Sequence, residues 1–371
     1  MGNTPYILLV AAALLFGAIM PQKGPKRIRY IALMTILHTC LSGLRYMHIT
    51  GDLHKYYFTF LRCGEYPWFS AELWAEGRNF GFLYFNKIVY LLSNGDFQVM
   101  LFVVAAIIHL VLGYVIYRYS SRPWFSYLVW NCLAFYIFGF SAVKQSLAMA
   151  FVMLSFVGIA EKRPGFFAVM IAIAGSLHMP ALIFLPAYGL TRMKGSANVI
   201  GLYIILGIAL FVFKNQFIAF IRSFYYDDDT IFVYSGEIGS RMIMILGFTL
   251  FGLCFRGFRN PAMGCLFHIM TIAAILQMLA GYDHIFTRMT DYYFQMSVLY
   301  LPLTFFPRED AREDRLGLRP VFPFNRRSMM LITAVVAVFL LWFYWTYAIN
   351  VVISNEVDNY LNYRTMWDVI Q

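Results

Sequence analysis

The residues able to do chemistry in this chain are few, and they share one kind of position. Only 13% of the 371 residues are charged while 61% are hydrophobic. Ionisable groups gather where apolar runs end. Arg45 closes one run, and Asp52 follows in Thr50-Gly51-Asp52. Glu76 and Arg78 lie in Glu76-Gly77-Arg78-Asn79-Phe80-Gly81. Lys144 and Gln145 open a further run, and His178 interrupts the stretch 165–190. Glu237 and Arg241 precede a run near 241, Asp283, His284, Arg288 and Asp291 surround the start of another, and Arg364 stands in the tail. Charges near hydrocarbon are costly, so each is a functional candidate. For Arg45, Arg241 and Arg288 the competing reading is a side chain that snorkels to the headgroups. For His178 it is a helix-break residue bonded to backbone. Lys144 stands out because it occupies a very short turn between two apolar runs.

One carboxylate among several cations suits transfer of a polyanionic, lipid-linked group. Arginine binds phosphate oxygens bidentately, and clustered cations stabilise a diphosphate leaving group. A carboxylate at the same depth can take the proton of an acceptor hydroxyl. Asp52 is the expected base and Glu76 the alternative. No CxxC or HExxH pattern occurs, and four of the five cysteines lie in apolar segments, so neither a metal site, a disulfide framework nor a cofactor is expected. Asp227-Asp228-Asp229 reads as a solvated loop, since adjacent carboxylates do not by themselves converge on an ion.

Apolar runs punctuated by basic residues must position these groups. They fall at 5–20, 28–44, 97–117, 124–140, 143–160, 198–217, 241–256, 263–281, 290–306 and 328–350. The predicted fold is an all-α, polytopic transmembrane bundle of about ten full spans, forming a single integral membrane domain over 1–371. The run 5–20 lacks a preceding basic region and is followed by Lys23, Lys26, Arg27 and Arg29, which predicts a retained span with its N-terminus outside. The stretch 165–190 is apolar but broken by Gly175, His178 and Pro180, which predicts a split or re-entrant helical pair. The long interval 45–96, with Trp68, Trp74, Phe80 and Phe82 among polar residues, predicts an extracytoplasmic loop carrying an interfacial helix.

Charge counting sets the expected sidedness. If 165–190 returns to the side it left, the loops 21–29, 118–123, 161–164, 191–197, 256–261 and 307–327 share one face. They hold 18 of the 29 Lys and Arg residues and only 5 of the 19 acidic ones. That face is then the cytoplasmic one, and the candidate residues lie on the other. The net charge of +10 is thereby accounted for by topology, and no nucleic-acid partner is implied.

Four motifs, in order along most of the chain, resemble the EpsG family of bacterial exopolysaccharide and capsule membrane proteins, which is similar to Wzy polymerases. They are Gly43-Leu44-Arg45-Tyr46 with Gly51-Asp52 and Tyr56-Tyr57, Glu76-Gly77 through Phe82, Val143-Lys144-Gln145-Ser146-Leu147-Ala148, and Ser176-Leu177-His178-Met179-Pro180-Ala181. The tail Asn362-Tyr363-Arg364-Thr365-Met366-Trp367 is similar to the family's closing segment. Lys144 stands where the family carries arginine, Met179-Pro180 where a small polar residue is usual, and Asn362 where proline is expected. The resemblance implies a GT-C-like helical fold in the bacterial inner membrane. It also implies a polyprenyl-diphosphate-linked oligosaccharide substrate, joined to the next lipid-linked repeat unit on the extracytoplasmic face. Membrane lipid and a chain-length regulator protein are the implied partners; capsule and O-antigen assembly are the implied settings. Catalytic roles carry over to Asp52, Glu76 and His178, and substrate binding to Arg45, Lys144 and Gln145. Arg78, Arg241, Arg288 and Arg364 are added as substrate-binding residues from their position. A single-sugar transferase using a polyprenyl-phosphate sugar and a non-catalytic flippase for the same lipid-linked glycan remain alternatives. O-acyl transfer would rest on His178 alone.

Overall fold

A computed structural model describes residues 4–46, 51–225, 239–257, 260–306 and 326–353, apart from the side chains at a few helix ends. All regular secondary structure among them is helical. The apolar runs become helices because a backbone in hydrocarbon must satisfy its own polar groups. In chain order these are α1 (Thr4–Ile19), α2 (Ile28–Gly43), α3 (Gly51–Glu65), α4 (Ala71–Ala75), α5 (Phe80–Ser93), α6 (Phe97–Tyr119), α7 (Pro123–Cys132), α8 (Phe135–Ser141) and α9 (Val143–Ala160). Then follow α10 (Pro164–Leu177), a 3-10 turn at Met179–Phe184, α11 (Ala187–Leu190), α12 (Ala197–Val212), α13 (Lys214–Tyr225), α14 (Ser240–Arg256), α15 (Pro261–Gln277), α16 (Ile285–Phe294), α17 (Ser297–Phe305) and α18 (Arg326–Phe343), which continues as a π-helical turn over Tyr344–Ile353.

The helices are more broken than the run lengths suggest. By length and composition three of them can each cross a membrane: Phe97–Tyr119, Val143–Ala160 and Arg327–Tyr347. The number rises to five if each bent pair counts as one span. Helices α7 and α8 meet at 49° and α12 and α13 at 78°. Ala134, between α7 and α8, has φ of 64°, a left-handed conformation that interrupts the i→i−4 ladder. The expected run 290–306 is divided between α16 and α17, with Pro302 inside the latter. Helices such as α1, α10 and α15, at 14 to 17 residues, reach only about 21–25 Å against a hydrocarbon core of about 30 Å.

Within the interval 45–96, residues 51–96 form a folded helical unit. Helix α3 packs on α5, and Lys87 of α5 is 3% exposed with its ammonium donating to the carbonyls of Cys63 and Gly64, each 3.2 Å away, and to that of Tyr66. A cation placed on the last carbonyls of a helix satisfies them and opposes the negative end of its dipole. Lys87 also lies 5.1 Å from the ring centroid of Trp68, which stacks on Tyr84.

Four of the basic loops, 21–29, 118–123, 161–164 and 191–197, gather at one end of the bundle. The Arg27 guanidinium donates to the carbonyls of Tyr117 and Ser120, and Arg118 pairs with Glu161 at 2.9 Å. Arg192 donates to the Ile159 carbonyl at 3.1 Å, so residues 161–163 and 191–195 meet and the stretch 165–190 comes back to the end it left. Helix α10 packs along α9 and the 3-10 turn returns against both. The interior between α2, α6, α7 and α8 carries a polar layer that hydropathy conceals. His38 is fully buried, with Nδ1 2.7 Å from the Met34 carbonyl and Nε2 3.0 Å from Asn131 Oδ1, and the His109 ring lies 5.5 Å away.

Candidate functional site

Three local structures bring the candidate residues together at the opposite end. The first is the start of α9. The chain turns sharply at Ala142 and re-enters helix, so Lys144 and Gln145 occupy the first turn. Gln145 is 2% exposed and its amide donates to the Arg288 carbonyl at 3.1 Å, which ties α9 to α16.

The second is the break at His178. Pro180 lacks an N–H and cannot sit inside a continuing helix, so α10 closes with the His178 amide on the Ala174 carbonyl at 2.9 Å. His178 itself is extended, with φ −152° and ψ 104°, and is 6% exposed. Its Nδ1 shares a 2.5 Å hydrogen bond with the Tyr292 hydroxyl. The Met179 amide, just past the break, donates to Asn79 Oδ1 at 3.0 Å. This bond docks the segment Glu76–Gly81 on the break. Gly77 adopts φ of 147°, a conformation open chiefly to glycine. A Cβ on Gly81 would stand 2.8 Å from the Ser176 carbonyl carbon, so α5 approaches α10 more closely than a side chain allows.

The third is α16. Asp283, 1% exposed, accepts the Ile285 amide at 3.0 Å at the start of the helix and pairs with Arg222 at 2.6 Å. Asp291, buried about two turns further on, pairs with Arg241 at the start of α14, and that guanidinium also lies 5.6 Å from the Phe294 ring. A small cavity of about 110 Å³ adjoins this pair, lined by Phe135, Phe138, Phe343 and Tyr347. Burial, and then the facing Arg288 guanidinium, push His284 below the ordinary histidine range.

Two cations act on this junction. Lys144 and Arg288 both lie within electrostatic reach of His178. Arg288 is exposed and forms no ion pair among the described residues. Around a buried imidazole held by Tyr292 there are thus an ammonium and an exposed guanidinium, while Asp283 and Asp291 pair with Arg222 and Arg241. Such a junction attracts a polyanion and can bond it directionally.

Other expected residues are placed differently. Arg45 is 1% exposed, donates to the backbone carbonyl and the hydroxyl of Ser42, and lies 4.9 Å from the Phe140 ring. Its backbone carbonyl takes the Gln98 amide at 3.1 Å. Glu76 is engaged bidentately by Arg62 at 2.6 and 2.8 Å, a partner fourteen residues earlier. Arg78 is exposed on the bend before α5. Asp52 belongs to the first turn of α3, but its side chain, like the whole of Arg364 and Glu237, lies outside the described residues. Arg62, Arg222 and Tyr292 escaped the sequence reading, and Asn79 entered it only as a member of the stretch Glu76–Gly81. Tyr292 has no signal beyond adjacency to Asp291. Among the described residues no three His, Cys, Asp or Glu side chains converge as metal ligands.

Comparison with curated proteins and with solved structures returns no match. The sequence model of the EpsG family matches residues 28–365, nearly the whole chain. That interval contains the start of α9, the His178 break and α16 alike. EpsG is a Wzy-like family associated with membrane polysaccharide polymerisation, and this chain belongs to the EpsG family.

Proposed function

We propose that the chain is a polysaccharide polymerase that joins polyprenyl-diphosphate-linked glycan repeat units at the extracytoplasmic face of the bacterial inner membrane. The observation that carries this reading is the convergence of Lys144, Arg288 and His178 at one junction of α9, the helix break and α16. In the proposed reaction an acceptor hydroxyl oxygen attacks the anomeric carbon of the donor sugar. The bond from that carbon to the diphosphate oxygen breaks, and the diphosphate leaves with the electron pair. The hydroxyl proton passes to a base. Lys144 and Arg288 hold the diphosphate and stabilise the charge that develops on it, an effect strongest where water is excluded. Gln145 sets the backbone of Arg288 through its amide, and Tyr292 fixes the His178 ring. Asp52 is the proposed base, with Glu76 the alternative. Arg241, committed to Asp291, orders the floor of the site, and Arg45 orders the end of α2. Exposed aromatic side chains at Trp68, Phe69, Trp74 and Phe80 offer faces on which sugar rings stack. Side-chain cations supply the charge stabilisation in this scheme, so no metal is needed for it.

Purified protein given lipid-linked repeat units in detergent tests the proposal. A ladder of products is expected, lost in Arg288→Ala and in Asp52→Asn. One added residue instead of a ladder indicates a single-sugar transferase. Full activity in Asp52→Asn removes that residue as base, and transport of the lipid-linked glycan without covalent change removes the enzyme altogether.

A further inference from the structure

A second cavity, of about 530 Å³, lies at the end of the bundle away from the candidate site. Its walls include Phe156, Ile159 and Ala160 from the last turn of α9. Lys144 stands in the first turn of the same helix, so helical rise places the two sites about 24 Å apart along α9. Whatever the orientation of the chain, they face opposite ends of a helix that is long and apolar enough to span.

The lining is apolar within and cationic at the mouth. Lys162 comes from the turn after α9, Arg192 and Lys194 from the loop after α11. No Asp or Glu lines the cavity. The nearest carboxylate in sequence, Glu161, is held by Arg118 at 2.9 Å and Arg163 at 3.6 Å, and none of Lys162, Arg192 and Lys194 forms an ion pair among the described residues. Arg192 is held in place by the Ile159 carbonyl and by the Tyr188 ring, 4.5 Å from its guanidinium. The first turn of α15, a 17-residue helix, also borders the cavity. Asn260 Oδ1 takes two of its amides, and the positive end of the dipole remains directed there. Topology signals need only lie in the right loops. Here cations from two loops converge on one concavity of a size that holds a small ligand.

We propose that this cavity binds the phosphate-bearing headgroup of an anionic membrane lipid. The apolar wall of Phe156, Ile159 and Leu266 meets the glycerol and upper acyl chain, while Lys162, Arg192 and Lys194 meet the phosphate. Charge counting puts this end at the cytoplasmic leaflet, where anionic lipids attract basic side chains. The inference is independent of the polymerase reading, since it concerns the other end of the molecule and its test reads binding alone.

The full chain in neutral detergent is titrated with phosphatidylglycerol, with phosphatidylcholine and with inorganic phosphate, and retained lipid is read by native mass spectrometry alongside the thermal midpoint. Phosphatidylglycerol is expected to be retained and to raise the midpoint, the other two to do neither. Lys162→Gln with Lys194→Gln removes two exposed cations while leaving the anchored Arg192, and is expected to weaken phosphatidylglycerol binding about thirty-fold. Lys23→Gln with Lys26→Gln, exposed cations at the same end but outside the cavity, is expected to change it less than three-fold. Equal retention of phosphatidylcholine overturns the proposal. So does an unaffected Lys162/Lys194 variant. Equal loss in the Lys23/Lys26 variant assigns the effect to general surface charge, and stabilisation by inorganic phosphate alone assigns the cavity to a soluble anion.

Discussion

Glu76 presents a choice between anchor and base. Its carboxylate is gripped by the Arg62 fork across the gap between α3 and α4, and a carboxylate so engaged offers fewer lone pairs to an acceptor hydroxyl. The Arg62 side chain is 45% exposed, which limits the pair to about 1 kcal/mol or less of stability. Arg62→Ala is therefore expected to shift the thermal midpoint by only a few degrees. The exchange Arg62→Glu with Glu76→Arg separates the two roles, because it restores an ion pair while removing the carboxylate from position 76. If the pair is only an anchor, the exchange recovers both midpoint and polymer formation relative to the single variants. If Glu76 is the base, the midpoint recovers and the product ladder stays absent. The same logic keeps Asp52 as the proposed base: Asp283 and Asp291, the acidic residues on either side of Arg288 in sequence, are each committed to an arginine.

Among the elements, the His178 break does the most to assemble the site, and it depends on a contact made far away in sequence. The segment Glu76–Gly81 reaches it through the Asn79 side chain and the close approach of Gly81 to Ser176. Gly81→Ala sets a Cβ against the Ser176 hydroxyl and also against its backbone carbonyl carbon at 2.8 Å, so rotating the hydroxyl away is not enough and α5 must retreat from α10. Overpacking of this kind costs about 1–3 kcal/mol, and a lowered thermal midpoint with reduced polymer formation is the expected result. An unchanged midpoint would mean that α5 and α10 are not packed as tightly as described. Much of this architecture was legible in sequence. Pro180 after an apolar run signals a break, and basic punctuation signals loop ends. The bends at Ala134 and Phe213 were not legible, because no proline or glycine marks them and only packing against neighbouring helices selects the conformation. In the interval 45–96 an interfacial helix was expected, but the packing of α3 on α5 was not legible, because buried Lys87 reads in sequence as an ordinary surface cation. The pairing of Asp291 with Arg241 was equally hidden, since fifty residues separate partners that only the packed bundle brings together.

At the scale of the whole molecule, two chemically different ends are joined by α9. One end has Arg27, Arg118, Arg163 and Arg192 tied to carbonyls, rings and Glu161; the other has Lys144, Arg288 and His178. That the loops 21–29, 118–123, 161–164 and 191–197, grouped by charge counting, also meet in space is independent support for grouping those four, because charge counting contains no distances. Which end faces the cytoplasm follows only from the excess of Lys and Arg, and the proposed chemistry depends on it: a lipid-linked donor suits the outer face, where nucleotide sugars are absent. Cysteine labelling decides the matter. Arg78→Cys and Lys194→Cys each place a thiol at an exposed position, one at each end. An impermeant maleimide applied to intact cells is expected to label the Arg78→Cys protein above the background of the parent, and the Lys194→Cys protein only after permeabilisation. The reverse pattern would place Lys144, Arg288 and His178 in the cytoplasm, and both the extracytoplasmic polymerase and the cytoplasmic-leaflet assignment of the second cavity would then fail together, although binding of an anionic lipid there would still be open to measurement.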